Sequence, residues 1–143
     1  MKGRKLLLPD NKRVKQIYTY LLLKAIERRY PVVSYSEVEE AIAVAGVTPN
    51  KWQVKKYLLI LSNNNPSLIE FRSAGLYEIF YELKIYMTDG KNIYKATIND
   101  IDTFKTELLL VLSEEMPENI LTYAELLKQK LQVESAKHDV ENV

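Results

Sequence analysis

The sequence predicts an α+β fold, and three observations predict it. Apolar residues recur at helical spacing through 11–29, 34–45 and 48–62. Apolar residues then alternate with Glu78, Glu82 and Lys84 at 77–87. An Asp-Gly turn then leads into a returning strand at 92–98. The periods of about 3.6 and 2 separate helix from strand.

The elements follow in order. Residues 1–10 read as a basic, mobile arm carrying Lys2, Arg4 and Lys5 and ending at the helix-stopping Pro9. Between Asn11 and Arg29, Val14, Ile17, Tyr18, Leu21 and Ala25 form one stripe, while Tyr20, Leu22, Leu23 and Ile26 form a second. Two stripes exceed one buried face, so this helix is either encircled by its own domain or packed against another chain. Val32 and Val33 suit a short strand. Ser34 and Glu37 make a capping box for the next helix, which buries Val38, Ala41, Ile42 and Ala45 and stops at Gly46. Thr48 followed by Pro49 reads as an N-cap with proline in the first helical position. That helix buries Val54, Leu58 and Leu61 and breaks at Asn63-Asn64-Asn65-Pro66.

Leu68 to Arg72 is a short strand, and Ser73-Ala74-Gly75 a turn. The alternation of Tyr77, Ile79, Tyr81, Leu83, Ile85 and Met87 then predicts one long strand, with Thr88-Asp89-Gly90-Lys91 as its hairpin turn. Asn99 is expected to cap a helix with Ile101, Phe104, Leu108, Val111 and Leu112 on one face, broken at Pro117-Glu118-Asn119. A last helix starts at Thr122, and residues 132–143 form a polar tail. VVSYSEV at 32–38 and ILTYAEL at 120–126 share a pattern, each after a helix containing Leu-Leu-Leu. This is either a coincidence of capping boxes or a truncated second copy of the first unit.

At 143 residues the chain is expected to be one domain, or one domain with a helical appendage. Apolar residues make up 47% and charged residues 27%, enough to build a core and too many apolar residues for wholesale disorder. No apolar run approaches the ~20 residues that span a bilayer. The first ten residues are too short of apolar length for a secretory signal, so a cytoplasmic location is expected. Cysteine is absent, which removes disulfides, thiolate metal sites and thiol catalysis. Net charge is +1, yet residues 1–30 hold nine basic side chains against two acidic, and residues 101–143 hold four against nine. A basic end suits phosphate contacts, and an acidic end suits a protein partner.

Candidate chemistry concentrates at the start of the third helix. Asn50 and Gln53 can pair in bidentate fashion with adenine, while Lys51, Lys55 and Lys56 can reach guanine acceptors or phosphate oxygens. Arg13 and Lys15 add charge from the first helix, and Lys91 and Asn92 from the hairpin tip. Trp52, the single tryptophan, either stacks on the domain body or presses on a sugar-phosphate or protein partner. Tyr18, Tyr57, Tyr77 and Tyr81 fall at packing positions, so the ten tyrosines read as core. Catalysis finds little foothold. His138 is the sole histidine and lies in the polar tail, and no glycine-rich phosphate loop exists among four glycines. No enzyme, metal or cofactor is expected.

Residues 11–98 resemble the winged helix-turn-helix superfamily, through Ser34-Tyr35-Ser36-Glu37-Val38, Thr48-Pro49 with Val54, Leu58 and Leu61, and the hairpin at Asp89-Gly90. The resemblance implies three helices plus a β-hairpin wing, here with additional C-terminal helices. It implies a double-stranded DNA-binding protein, a transcriptional regulator or a replication or partition factor of prokaryotic, archaeal or archaeal-virus type. The helix at 48–62 would read the major groove. Arg72-Ser73 is a competing tip for the wing. A homodimer is expected, with the over-apolar first helix and the helical pair at 99–131 supplying the contact. The alternative is a winged-helix module for protein–protein assembly, which an exposed apolar patch without a basic face would favour.

Overall fold

The protein is described from a computed structural model covering residues 4–114. The final helix from Thr122, the second copy of the repeat, the polar tail and Lys2 lie outside the described residues. The fold is α+β, with two small antiparallel sheets packed around a central helix.

The central helix is α1, Lys12–Arg28. Its start is set by Asn11, whose side-chain oxygen accepts from the N–H groups of Arg13 and Val14 at 3.1 Å each. Its end comes at Arg29, which takes a left-handed conformation (φ 64°) and returns its N–H to the last turn, two residues before Pro31. Both apolar stripes of α1 are buried within the chain, Tyr20, Leu22 and Leu23 as completely as Ile17, Tyr18 and Leu21. The second stripe therefore requires no other chain. It is covered by α5 (Lys105–Glu114) and by α2 (Tyr35–Val44), which both pack along α1.

Strand β2, Val32–Ser34, leads directly into α2. Both halves of the capping box form: the Glu37 N–H donates to Ser34 Oγ at 3.2 Å, and the Ser34 N–H to Glu37 Oε1 at 3.0 Å. The helix closes in a Schellman pattern. Gly46 (φ +85°) donates to the Ala43 carbonyl, and Val47 to that of Ile42.

The next helix, α3, spans Lys51–Asn63 and differs from expectation at its start. Asn50, not Thr48, is the N-cap, because its side-chain oxygen takes the Gln53 N–H at 2.9 Å. Thr48 and Pro49 stay in the connection. The buried stripe is Val54, Tyr57 and Leu61, with Leu58 only half-buried at the margin.

The strands also depart from the single long run expected at 77–87. Strand β3, Ile69–Ala74, and β4, Ile79–Leu83, form a hairpin, and β2 pairs with the other edge of β4, giving the order β2-β4-β3. A bulge falls between Phe71 and Ser73. Strands β5, Tyr86–Thr88, and β6, Ile93–Lys95, belong to a second sheet, whose other edge is β1, Lys5–Leu6. The run breaks at Lys84-Ile85, where the chain passes from the β3–β4 ladder to the β5–β6 ladder and a side chain of α1 caps the bend. Lys84 donates to the Leu68 carbonyl, the Tyr18 hydroxyl donates to the Lys84 carbonyl at 2.6 Å, and Ala96 donates to Ile85. Alternation persists across the bend, so periodicity does not register it.

Residues 4–8 do not form a free arm. Lys5 pairs with Thr88 and Leu6 with Met87, and the Arg4 guanidinium lies 4.0 Å over the Tyr94 ring. The helix expected to be capped by Asn99 starts two residues earlier and is interrupted. Thr97 caps α4, Ile98–Ile101, in a second capping box with Asp100, and a 3-10 turn at Asp102–Phe104 precedes α5. Among the described residues no helix is long and apolar enough to cross a membrane.

Candidate nucleic-acid interface

With Val54, Tyr57 and Leu61 seated against the body, 3.6-residue spacing turns Lys51, Trp52, Lys55, Lys56 and Leu59 outward, and all five are exposed. Among the described residues, Lys51, Lys55 and Lys56 have no carboxylate partner. The Lys56 ammonium lies 5.5 Å from the Trp52 ring and 5.4 Å from the Tyr57 ring. Those rings hold a cation without neutralising it. Trp52 is 66% exposed, so it does not stack into the domain.

The nearby acidic side chains are engaged elsewhere. Glu70 on β3 pairs with Lys84 at 2.9 Å, and this hydrogen bond holds the Lys84 pKa above its usual value. Glu78, at the tip of the β3–β4 hairpin, accepts from the Ser36 N–H at 3.1 Å and the Ser36 hydroxyl at 2.8 Å. Its carboxylate thus sits on the first turn of α2, where free N–H groups and the helix dipole attract an anion. The tip is closed by the Gly75 N–H donating to the Glu78 carbonyl at 2.7 Å. Within β3, the Arg72 guanidinium lies 5.2 Å over the Tyr30 ring and donates to its hydroxyl at 2.5 Å.

The expected site residues therefore divide. Lys51 and Lys55 share one concave face between α3 and the sheet, and Lys56 flanks it. Asn50 spends its side-chain oxygen on the helix cap, and Gln53 turns its Oε1 into the interior, where it has no hydrogen-bond partner. Neither oxygen is presented for bidentate pairing with adenine, although Asn50 itself is exposed. Arg13 is exposed and Lys15 half-buried in the first turn of α1, and neither lines that concave face. Lys91 and Asn92 sit at the β5–β6 turn, in the other sheet, with both N–H groups donating to Asp89 Oδ1 at 2.9 and 2.8 Å. Those bonds, that of Asn92 first, hold the Asp89 carboxyl at about 2. The hairpin flanking α3 is β3–β4, and its tip, Gly75 to Glu78, falls between the two expected alternatives, Arg72-Ser73 and the Asp89-Gly90 turn.

Sequence reasoning missed the apolar character of this face. Phe71 is 64% exposed, Leu76 87% and Tyr77 93%. Tyr77 was expected in the core. A hollow of about 350 Å³ separates α3 from the sheet, with Leu58, Leu59, Ile69, Phe71 and Tyr81 in its walls and Lys51 and Lys55 along one side. The Phe71 and Tyr81 rings meet edge to face, 6.5 Å apart. Burial, aided by the charges of Tyr35 and Glu78, raises the Tyr81 pKa, so its hydroxyl stays neutral. A second hollow of about 450 Å³, at the hairpin tip, shares Tyr35 and Lys51 with the first. A signal existed in the sequence: two large apolar residues directly follow Gly75, inside a turn between strands, where such residues have nothing to pack on.

Compared with protein-family models, curated proteins and solved structures, the chain matches none.

Proposed function

We propose that the protein binds double-stranded DNA as a winged helix-turn-helix module, with α3 in the major groove and the β3–β4 hairpin as the wing. The element order α1, β2, α2, α3, β3, β4 and the strand order β2-β4-β3 support that reading. It moves the wing from the Asp89-Gly90 hairpin, which lies in a separate sheet. The observation that carries the function is charge availability. Among the described residues, Lys51, Lys55 and Lys56 stand exposed and unpaired by acids, while Glu70 and Glu78 beside them are occupied. A duplex offers these ammoniums one phosphate per ~1.7 Å of axis.

Because the side-chain oxygens of Asn50 and Gln53 are turned to the helix cap and to the interior, the reading favours phosphate contact over bidentate base discrimination, as in an architectural or low-selectivity regulator. Transcriptional regulation, replication and partition all accommodate such a role, and the function is binding rather than catalysis. Fluorescence anisotropy on a mixed-sequence duplex across salt tests it. Three lysine contacts give log K against log salt a slope of about −3, and Lys55→Ala brings it nearer zero by about one. Salt-independent binding, or none at low salt, overturns the proposal.

One observation favours the second reading, a module for protein assembly. Trp52, Leu59, Phe71, Leu76 and Tyr77 are all exposed on or beside the face that carries the lysines. Such clustering on a small protein marks an interaction surface.

A further inference from the structure

We propose that this face pairs two copies of the chain, the β3–β4 hairpin tip of each entering the apolar hollow between α3 and the sheet of the other. The inference is independent of the DNA reading.

Two features each lack a counterpart among the described residues. The tip projects Leu76 and Tyr77, almost wholly in solvent. It is nevertheless held in one conformation, since Glu78 ties it to Ser36 and closes the Gly75 turn. A Cβ at Gly75 would lie 3.2 Å from the Glu78 carbonyl oxygen and 3.3 Å from the Phe80 ring, so the turn is tightly packed as well. A preorganised apolar tip loses little conformational entropy on docking. The hollow is the reciprocal feature: an apolar concavity whose exposed wall residues, Leu59 and Phe71, have nothing covering them among the described residues.

Charge selects between occupants. The hollow carries Lys51 and Lys55 along one side, and the Glu70 carboxylate in its lining is paired with Lys84, so it repels a basic segment. From Gly75 to Glu78 the tip has no cation, two apolar side chains and one carboxylate. That composition directs the tip toward an apolar, cation-lined site. The Tyr77 hydroxyl can stay at the wet rim while its ring is buried. Both features lie on one side of the molecule, sharing Tyr35 and Lys51, so a two-fold axis can satisfy both contacts at once and close the assembly at two copies. Two tips bury a few hundred Å² per partner, well under the ~800 Å² of a standard interface, so the pair forms reversibly at tens of micromolar or above.

Sedimentation velocity of the full chain from about 5 to 500 µM, without DNA, tests this. The wild type is expected to shift reversibly toward the dimer mass. A Leu76→Ser, Tyr77→Ser double variant and a Phe71→Ser variant should each weaken association about tenfold or more, since each strips both symmetric contacts. These positions are exposed, so thermal melts should show the variants folded. An equimolar mixture is the decisive arm. A tip-deficient chain retains an intact hollow and a hollow-deficient chain an intact tip, so mixing restores one contact and yields mixed dimers where neither variant pairs alone. A monomer throughout the range overturns the proposal, as does association indifferent to both variants, or mixing without rescue. Should the tip variants instead lower duplex affinity while leaving the mass unchanged, the tip contacts nucleic acid and self-pairing is wrong.

Discussion

Replacing Glu78 with Gln separates stability from binding, because the two are expected to move in opposite directions. In the native protein both carboxylate oxygens accept from Ser36, the second residue of α2. Gln keeps the shape and one good acceptor but loses the charge facing the helix N-terminus. A carboxylate there contributes roughly 0.3–1 kcal/mol, and the weakened second hydrogen bond adds a few tenths. The melting temperature should therefore fall by about 2–4 °C. Duplex binding should improve instead. Glu78 and Lys51 border the same hollow, so the change deletes a like charge from the face that meets phosphate. At about 10 Å in water one such charge is worth ~0.4 kcal/mol, more where water is excluded, so affinity should rise about two- to fivefold at low salt. The gain should vanish near 1 M salt, where screening acts over ~3 Å. Differential scanning fluorimetry and salt-titrated anisotropy on one preparation measure both quantities. A variant that binds duplex more weakly than wild type at low salt refutes the placement of DNA on this face.

Further outcomes follow from the same structure. Tyr18→Phe should cost about 1–3 kcal/mol in denaturant melts, since it strands the Lys84 carbonyl beside a buried ring. Burial, with the neighbouring Tyr86 hydroxyl, raises the Tyr18 pKa above its ordinary value, so the native state favours the neutral phenol. Stability should be intact below pH ~10 and fall as pH climbs past it, a loss the Phe variant lacks in part. At the acid end, the depressed Asp89 carboxyl contributes stability that is present above pH ~4 and lost as pH falls toward about 2, so Asp89→Asn should flatten that limb of a pH melt series. Asn50→Ala should cost about 1 kcal/mol as a lost N-cap, whereas Thr48→Ala should stay within about 0.5. Equal effects at the two positions would return the cap to Thr48.

Elements with local signals were legible from sequence. Ser34 with Glu37, Gly46 after Ala45, and the two-striped helix at 12–28 each combine propensity with capping chemistry that acts within a few residues, and each stands where those residues put it. One misreading turned on a near neighbour and the other on distant partners. Thr48-Pro49 is a sound start signal, yet Asn50 offered the Gln53 N–H a better-placed acceptor. The apparent strand at 77–87 kept its alternation through Lys84-Ile85, and only the Tyr18 hydroxyl and the Leu68 and Ala96 backbones, remote in sequence, reveal the bend. That bend assigns the Asp89-Gly90 turn to a different sheet and leaves β3–β4 beside α3.

The candidate site was legible by charge and illegible by exposure. Lys51, Lys55 and Lys56 are outward because Val54 and Leu61 are inward, which periodicity can state. That Leu76 and Tyr77 project into solvent is a property of where the hairpin turns, and an alternating pattern assigns such residues to a core by default. The resulting face mixes cations with uncovered apolar groups, and each supports a different proposal through different atoms. Salt tells them apart. Ammonium–phosphate contacts weaken steeply as ions compete, whereas burial of Leu76 and Tyr77 against Phe71 is nearly insensitive to sodium chloride and strengthens in sulfate. If both proposals hold, raising salt moves the chain from duplex-bound toward self-paired. The two states also compete for Lys51 and Lys55, so duplex DNA added at low salt should reduce the dimer mass in proportion to the protein it binds.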